Sequence, residues 1–224
     1  MITLLTVQNT LRVDRVECVA PELVRQQIQA VIEDIHPGAA KTGALGNAEI
    51  VEVVAQLAAG FDFPLVVDPV MVSKHGALLL SEEAGRILKE RLLPRAFLLT
   101  ANLAEAAALT GLEVHGVDDM RRAGERIREM GAWAVLVKGG HLADSATDVL
   151  VTAREWHEFP APRIDTPHTH GTGCTYSAAI TAELAKGTPL PIAVGQAKLF
   201  IAEAIRTNPG LGGGAGPLNH HARP

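Results

Sequence analysis

Short runs of β-branched and aliphatic residues alternate along this chain with longer segments whose apolar positions recur every three or four residues. That is the pattern of strand–helix–strand crossovers on a largely parallel sheet. Ile2–Val7 reads as a strand. Pro21–Asp34 reads as a helix, with Leu23, Ile28, Val31 and Ile32 at helical spacing and Pro and Glu in its first turn. Cys18 falls between them, in the turn-to-helix stretch RVECVAPE. Ala39–Thr42 is a short buried strand, Asn47 caps a helix whose apolar face includes Ile50, Val51, Val54 and Leu57, and Pro64–Asp68 is the next strand. Ser81–Arg91 opens on Ser-Glu-Glu, a cap with an acidic first turn, and Phe97–Thr100 follows as strand. Leu103–Thr110 and Met120–Met130 are helices, and the strand Ala134–Val137 runs into Lys138-Gly139-Gly140-His141. The period then changes: Asp148–Val151 and Trp156–Phe159, joined by a short polar connection, read as an antiparallel hairpin at the sheet edge. Helices Thr175–Lys186 and Pro191–Thr207 follow, and the Gly-rich residues 208–224 are expected to form a mobile tail.

These elements predict one α/β domain over residues 1–224, a largely parallel central sheet with helices on both faces and an antiparallel edge hairpin. A chain of 224 residues with 47% hydrophobic and 20% charged residues can bury a full core, which excludes a disordered or fibrous reading. A net charge of -5, with no Lys/Arg run to neutralise phosphates in series, argues against nucleic acid as a partner. Cys18 and Cys174 cannot build a disulfide framework, so a reducing cytoplasm is the expected compartment. The apolar start ITLLTV is too short for a leader or a spanning helix, and no membrane association is expected.

In such sheets ligands sit beyond the carboxyl ends of the strands, so the chemistry is sought in the loops that follow them. The clearest local signal is His170-Gly171-Thr172-Gly173-Cys174 running into an apolar helix. Gly171, Thr172 and Gly173 can present consecutive backbone N–H groups at a helix N-terminus, an anion cradle, although a plain Gly-rich turn reads equally well locally. Cys174 lies in the first helical turn, where the dipole should lower a thiol pKa and make it a proton acceptor; a small buried structural Cys is the plainer alternative. Asn102 and Glu105 sit one helical turn apart after FLLT. They can hold a hydrated magnesium ion and a phosphate, or simply form a capping box. Asp68 ends another strand, Lys138 and His141 flank two glycines where a polyphosphate could lie, and Gln8-Asn9-Thr10 could read the edge of a heterocycle.

Taken in order, QNT, AAKTGALG, VVDPVMV, TANLAEA, VLVKGGH and THGTGC resemble the hydroxymethylpyrimidine/phosphomethylpyrimidine kinases of thiamine biosynthesis, in the ribokinase-like superfamily. The resemblance implies a ribokinase-like fold, use of ATP and Mg2+, and phosphorylation of a hydroxymethylpyrimidine and then of its monophosphate. By the family's pattern Gly171–Cys174 would stabilise the transferred phosphoryl, with Cys174 standing where most of the superfamily uses an Asp base. Asn102 and Glu105 would organise magnesium and phosphates with support from Asp68. Lys138, Gly140 and Lys198 would lie at the nucleotide, and Gln8, Val70 and Met71 at the pyrimidine. The family is commonly dimeric, so a homodimer is expected. The family's members also carry a strand, a GSDSGGGAG-type loop and a helix ahead of the QNT strand, which predicts that Met1–Pro224 is a fragment of a longer chain. Pyridoxal kinase, which uses similar loops, and a catalytically silent pyrimidine or nucleotide binder are the competing readings.

Overall fold

Six strands in spatial order β3 to β8 form the central sheet of the computed structural model, which describes residues 1–71, 79–140, 142 and 145–223. β3 (Ala40–Thr42), β4 (Leu65–Val67), β5 (Leu98–Asn102) and β6 (Ala134–Lys138) are mutually parallel. β7 (Asp148–Val151) and β8 (Trp156–Phe159) close the edge as the antiparallel hairpin that the sequence predicts. The inner strands LVV, LLTAN and AVLVK are buried on both faces, as a parallel sheet covered by helices requires.

Alternation along each strand sorts side chains between two cores. Val67, Leu99, Val135 and Val137 pack with helices α1 (Pro21–Asp34), α2 (Ala48–Ala58), α4 (Leu103–Thr110) and α5 (Val117–Glu129). Val66, Leu98, Ala134 and Leu136 pack under α6 (Thr172–Ala185) and α7 (Leu190–Arg206). Side-chain caps start α2, where Asn47 accepts from the Ile50 N–H at 2.9 Å, and α3 (Glu82–Ile87), where Ser81 accepts from the Ala84 N–H at 3.2 Å. No helix among the described residues is long and apolar enough to cross a membrane.

Two expectations are corrected. Ile2–Val7 does not join the central sheet: β1 (Leu4–Gln8) pairs antiparallel with β2 (Val13–Cys18) in a separate ribbon. Cys18 therefore ends a strand opposite Leu4 rather than starting a helix. The turn is closed by Asn9, whose side chain accepts the N–H groups of Leu11 and Arg12 at 2.8 and 3.0 Å. The Gly-rich tail is also packed, because Leu218 is only 3% exposed in the α6–α7 core. The Ala215 N–H donates to the Thr10 carbonyl at 2.8 Å, and the His170 N–H to the Gly216 carbonyl at 3.1 Å. A side chain on Gly214 would meet the Thr10 carbonyl oxygen at 2.2 Å, so this close approach requires glycine.

Candidate active site

The carboxyl ends of β4, β5 and β6 converge on the head of α6. Asp68 follows β4 on the face that Val66 shares, so it points toward α6 and is 2% exposed. One carboxylate oxygen lies 3.3 Å from Lys138 Nζ at the end of β6, and the other accepts the Ser177 hydroxyl of α6 at 3.1 Å. Ser177 is wholly buried, and no motif in the sequence marks its role. Burial opposes the charge on Lys138, but the carboxylates of Asp68 and Glu105 outweigh it and raise the ammonium pKa, so the cation persists.

That cation sits over the loop before α6: a side chain on Gly173 would begin 3.2 Å from Lys138 Nζ. Gly171 turns into the helix at φ +82°, a left-handed conformation natural to glycine, and Thr172 Oγ1 ties the turn back to the Thr169 carbonyl at 2.8 Å. The backbone N–H groups of Gly173 and Cys174 find no carbonyl partner among the described residues. A helix N-terminus with two N–H groups that no described carbonyl takes, beside a fixed ammonium, is suited to an anion.

Asn102 and Glu105 form a complete capping box: the Glu105 carboxylate accepts the Asn102 N–H at 2.8 Å, and Asn102 Oδ1 accepts the Glu105 N–H at 2.9 Å. The Met71 N–H, in the loop after β4, faces the Glu105 carboxylate at the start of α4. Burial pushes its carboxyl pKa up; Lys138 and the N–H donors pull it down, and Asp68 adds to the rise. Among the described residues no group of three or more His, Cys, Asp and Glu forms a metal cage. A magnesium ion that keeps its waters and shares nucleotide phosphates needs only one or two carboxylates. Asp68 and Glu105, close enough that the Asp68 charge adds to the rise of the Glu105 carboxyl pKa, fit that demand.

Cys174 departs from the expectation of a lowered pKa. Although its side chain reaches the surface, the protein packed around it raises the thiol pKa, Asp68 and Glu105 add to the rise, and Lys41 and Lys138 oppose it. The thiol of the free protein is thus largely protonated at neutral pH, because lost hydration and, after it, the nearby carboxylates raise its pKa.

Gln8, at the end of β1, comes within 3.4 Å of His170 and so stands beside the same loop. Val70 holds φ +37°, a strained value for a β-branched residue, in the loop that carries Asp68 and Met71. Lys198 is already committed: Nζ lies 2.6 Å from Asp148 Oδ2 and also donates to the Ala146 carbonyl. The other Asp148 oxygen accepts the Gly139 N–H at 2.8 Å, so Lys198 and Asp148 together hold the Gly139–Gly140 turn. Among the described residues, chain neighbours aside, no atom lies within 4 Å of where a Gly140 side chain would start. His141 lies outside the described residues. A hollow of about 730 Å³ beside Phe63, Phe97 and Trp133 opens at the opposite ends of the strands and touches none of these groups.

Comparison with known proteins accords with this arrangement. Residues 1–219 match the phosphomethylpyrimidine kinase family. A hydroxymethylpyrimidine/phosphomethylpyrimidine kinase of Streptomyces coelicolor is 47% identical over 220 residues, covering 98% of this chain and 82% of the relative. The crystal structure of phosphomethylpyrimidine kinase from Clostridium difficile superposes with a TM-score of 0.80 at 41% identity, over 91% of this chain and 84% of that one. An ADP complex of Bacillus subtilis pyridoxal kinase superposes at 0.88 with 36% identity, over 98% and 83%.

Proposed function

The chain belongs to the phosphomethylpyrimidine kinase family, ribokinase-like kinases, and on that footing we propose that it phosphorylates 4-amino-5-hydroxymethyl-2-methylpyrimidine and then the resulting monophosphate, using ATP and magnesium, in thiamine biosynthesis. The observation that supports this reading most is the placement of Lys138, held by Asp68 at 3.3 Å, beside Gly173 at the head of α6, where the N–H groups of Gly173 and Cys174 have no carbonyl partner among the described residues. Phosphoryl transfer asks mainly for positioning and for neutralisation of charge on the moving group, and these donors supply both without reorganising. Asp68 and Glu105 would hold the magnesium ion, which when bound neutralises charge on the nucleotide phosphates. Gly140 leaves room for those phosphates, and the Asp148–Lys198 pair fixes the turn on which Gly140 stands.

In this reading the pyrimidine lies between Gln8 and the Val70–Met71 loop, with its hydroxymethyl group toward Cys174. Attack of the alcohol oxygen on the terminal phosphorus breaks the bond to ADP, and the alcohol proton passes to Cys174 Sγ. The apolar residues exposed on and beside the β1–β2 ribbon, Met1, Ile2, Leu5, Val7 and Leu11, support assembly as a homodimer. The two free cysteines support a cytoplasmic home.

The test is turnover of the purified chain with MgATP and, in parallel, the pyrimidine alcohol, its monophosphate and pyridoxal. Phosphorylation of both pyrimidines in preference to pyridoxal is expected. Preference for pyridoxal would assign the protein to the activity named for its Bacillus subtilis neighbour. Thermal stabilisation by the pyrimidines without ATP consumption would make it a silent binder.

A further inference from the structure

Lys41, in the AAKTGALG stretch, has no part in the scheme above. Ala40 packs on the α1–α2 side of the sheet and Ala39 on the α6–α7 side, so alternation sends Lys41 toward α6, the face that carries Asp68 and Lys138. α6 runs back along β3, since a side chain on Gly38 would meet the Ala185 carbonyl at the far end of that helix at 2.7 Å. Three residues further along the strand, about 10 Å, Lys41 approaches the helix head. Its Nζ lies 3.6 Å from where a Gly43 side chain would begin, beyond the carboxyl end of β3. Its charge acts on Cys174.

Lys41 differs from the other two lysines of this face. Lys138 is paired with Asp68 and Lys198 with Asp148, whereas Lys41 forms no ion pair among the described residues. The order of strands also separates them. Lys138 on β6 and Lys198 over β7 occupy the side assigned to the nucleotide, and Lys41 on β3 lies three strands away from β6, about 14 Å, on the outer side of Asp68.

The two phosphorylations make different demands on this side. The first acceptor is a neutral alcohol that must lose a proton. The second carries a phosphate whose second pKa is about 6, so near pH 7.5 it is mostly a dianion. In that step a non-bridging oxygen of the acceptor phosphate forms the new P–O bond. The bond from the terminal phosphorus of ATP to its bridging oxygen breaks, and that electron pair leaves with ADP. No proton has to be removed, but a dianion must be held beside the polyphosphate of ATP. We propose that Lys41 is the specificity-determining residue for the phosphorylated acceptor, its ammonium binding the acceptor's phosphate in the second step. This rests on the function proposed above.

The test compares wild type, Lys41→Gln and Lys41→Arg. With saturating MgATP, the ratio of kcat/KM for the monophosphate to that for the alcohol should fall ~10-fold or more in Lys41→Gln, the worth of one charge-assisted hydrogen bond, and recover in Lys41→Arg. Cys174→Ala should move the same ratio the other way. Calorimetric titration of each pyrimidine without ATP gives a readout independent of turnover: Lys41→Gln should weaken the monophosphate selectively. Equal losses for both acceptors, or an unchanged affinity ratio, would overturn the proposal. A wild type that binds the monophosphate through Lys41 yet phosphorylates nothing would sink the kinase reading and leave the Lys41 contact standing.

Discussion

Asp148→Asn is the perturbation that most directly separates architecture from chemistry here. Asp148 and Lys198 are 2% and 12% exposed at their side chains, and their charged atoms are 2.6 Å apart. At an effective dielectric near 20 the mutual attraction is about 6 kcal/mol, most of it offset by the cost of taking both charges out of water. The asymmetry matters more than the sum: removing one partner strands the other charge, typically at about 3–5 kcal/mol, a large share of a domain's total stability of roughly 5–15 kcal/mol. Asp148→Asn and Lys198→Met should therefore each lower the urea midpoint strongly at constant m-value, while the double variant regains at least ~2 kcal/mol over the sum of the single losses. Because Asp148 also accepts the Gly139 N–H, the single variants should raise the KM for ATP more than that for the pyrimidine. Additive losses in the cycle, or single losses below ~1 kcal/mol, would show that solvent already screens the pair and that the turn does not depend on it.

Cys174→Ala should lower kcat with the alcohol acceptor by ~10²–10⁴ while leaving ATP affinity nearly intact, measured by steady-state kinetics and nucleotide titration. Because the thiol pKa is raised, iodoacetamide should label Cys174 slowly at neutral pH, with a midpoint above the ordinary value of 9.0; a midpoint below it would restore the dipole-dominated picture. Glu105→Gln should raise the magnesium requirement without lowering the melting temperature at pH 7–8. A carboxyl whose folded pKa lies above its unfolded value of about 4.5 loses stability as pH rises from there through the folded pKa, and the amide removes this loss; superimposable magnesium titrations would return Asn102 and Glu105 to the role of a helix cap. Val70→Gly should relieve the strain at φ +37°, raising stability by ~1 kcal/mol or more in urea unfolding while weakening pyrimidine binding.

The parallel heart of the fold was legible because each inner strand is a run of aliphatic residues buried on both faces, and the loops after them were legible because a parallel sheet places ligands there. The β1–β2 ribbon was not. Asp14, Arg15 and Glu17 face solvent, and Val13–Cys18 lacks the long apolar run that marks the inner strands. The tail misled for a related reason: its composition reports glycine content, whereas Leu218, inserted into a core built by distant helices, decides whether it stays put. Within the site, THGTGC and the Asn-x-x-Glu pair carry local signatures. Ser177 and Asp148 have none, Lys41 lies in the AAKTGALG motif without a legible role, and the placement of all three depends on which sheet face α6 and α7 cover.

The same distinction bears on Cys174, where local reasoning gave the wrong sign. A helix N-terminus lowers a thiol pKa when it acts alone, but lost hydration first, and then the charge of Asp68 brought in from β4, raise it. A raised pKa reduces the thiolate fraction at neutral pH, yet each surviving thiolate is a stronger base, so the two changes partly cancel. In a loose transfer transition state the acceptor alcohol becomes strongly acidic only as the new P–O bond forms, so the base acts late. Lys138 and Lys41 then serve the first transfer as well, since both pull the thiol pKa back toward the working range. Loss of the Lys41 cation therefore predicts an alkaline shift in the pH profile of the alcohol reaction, alongside the selective loss with the phosphorylated acceptor.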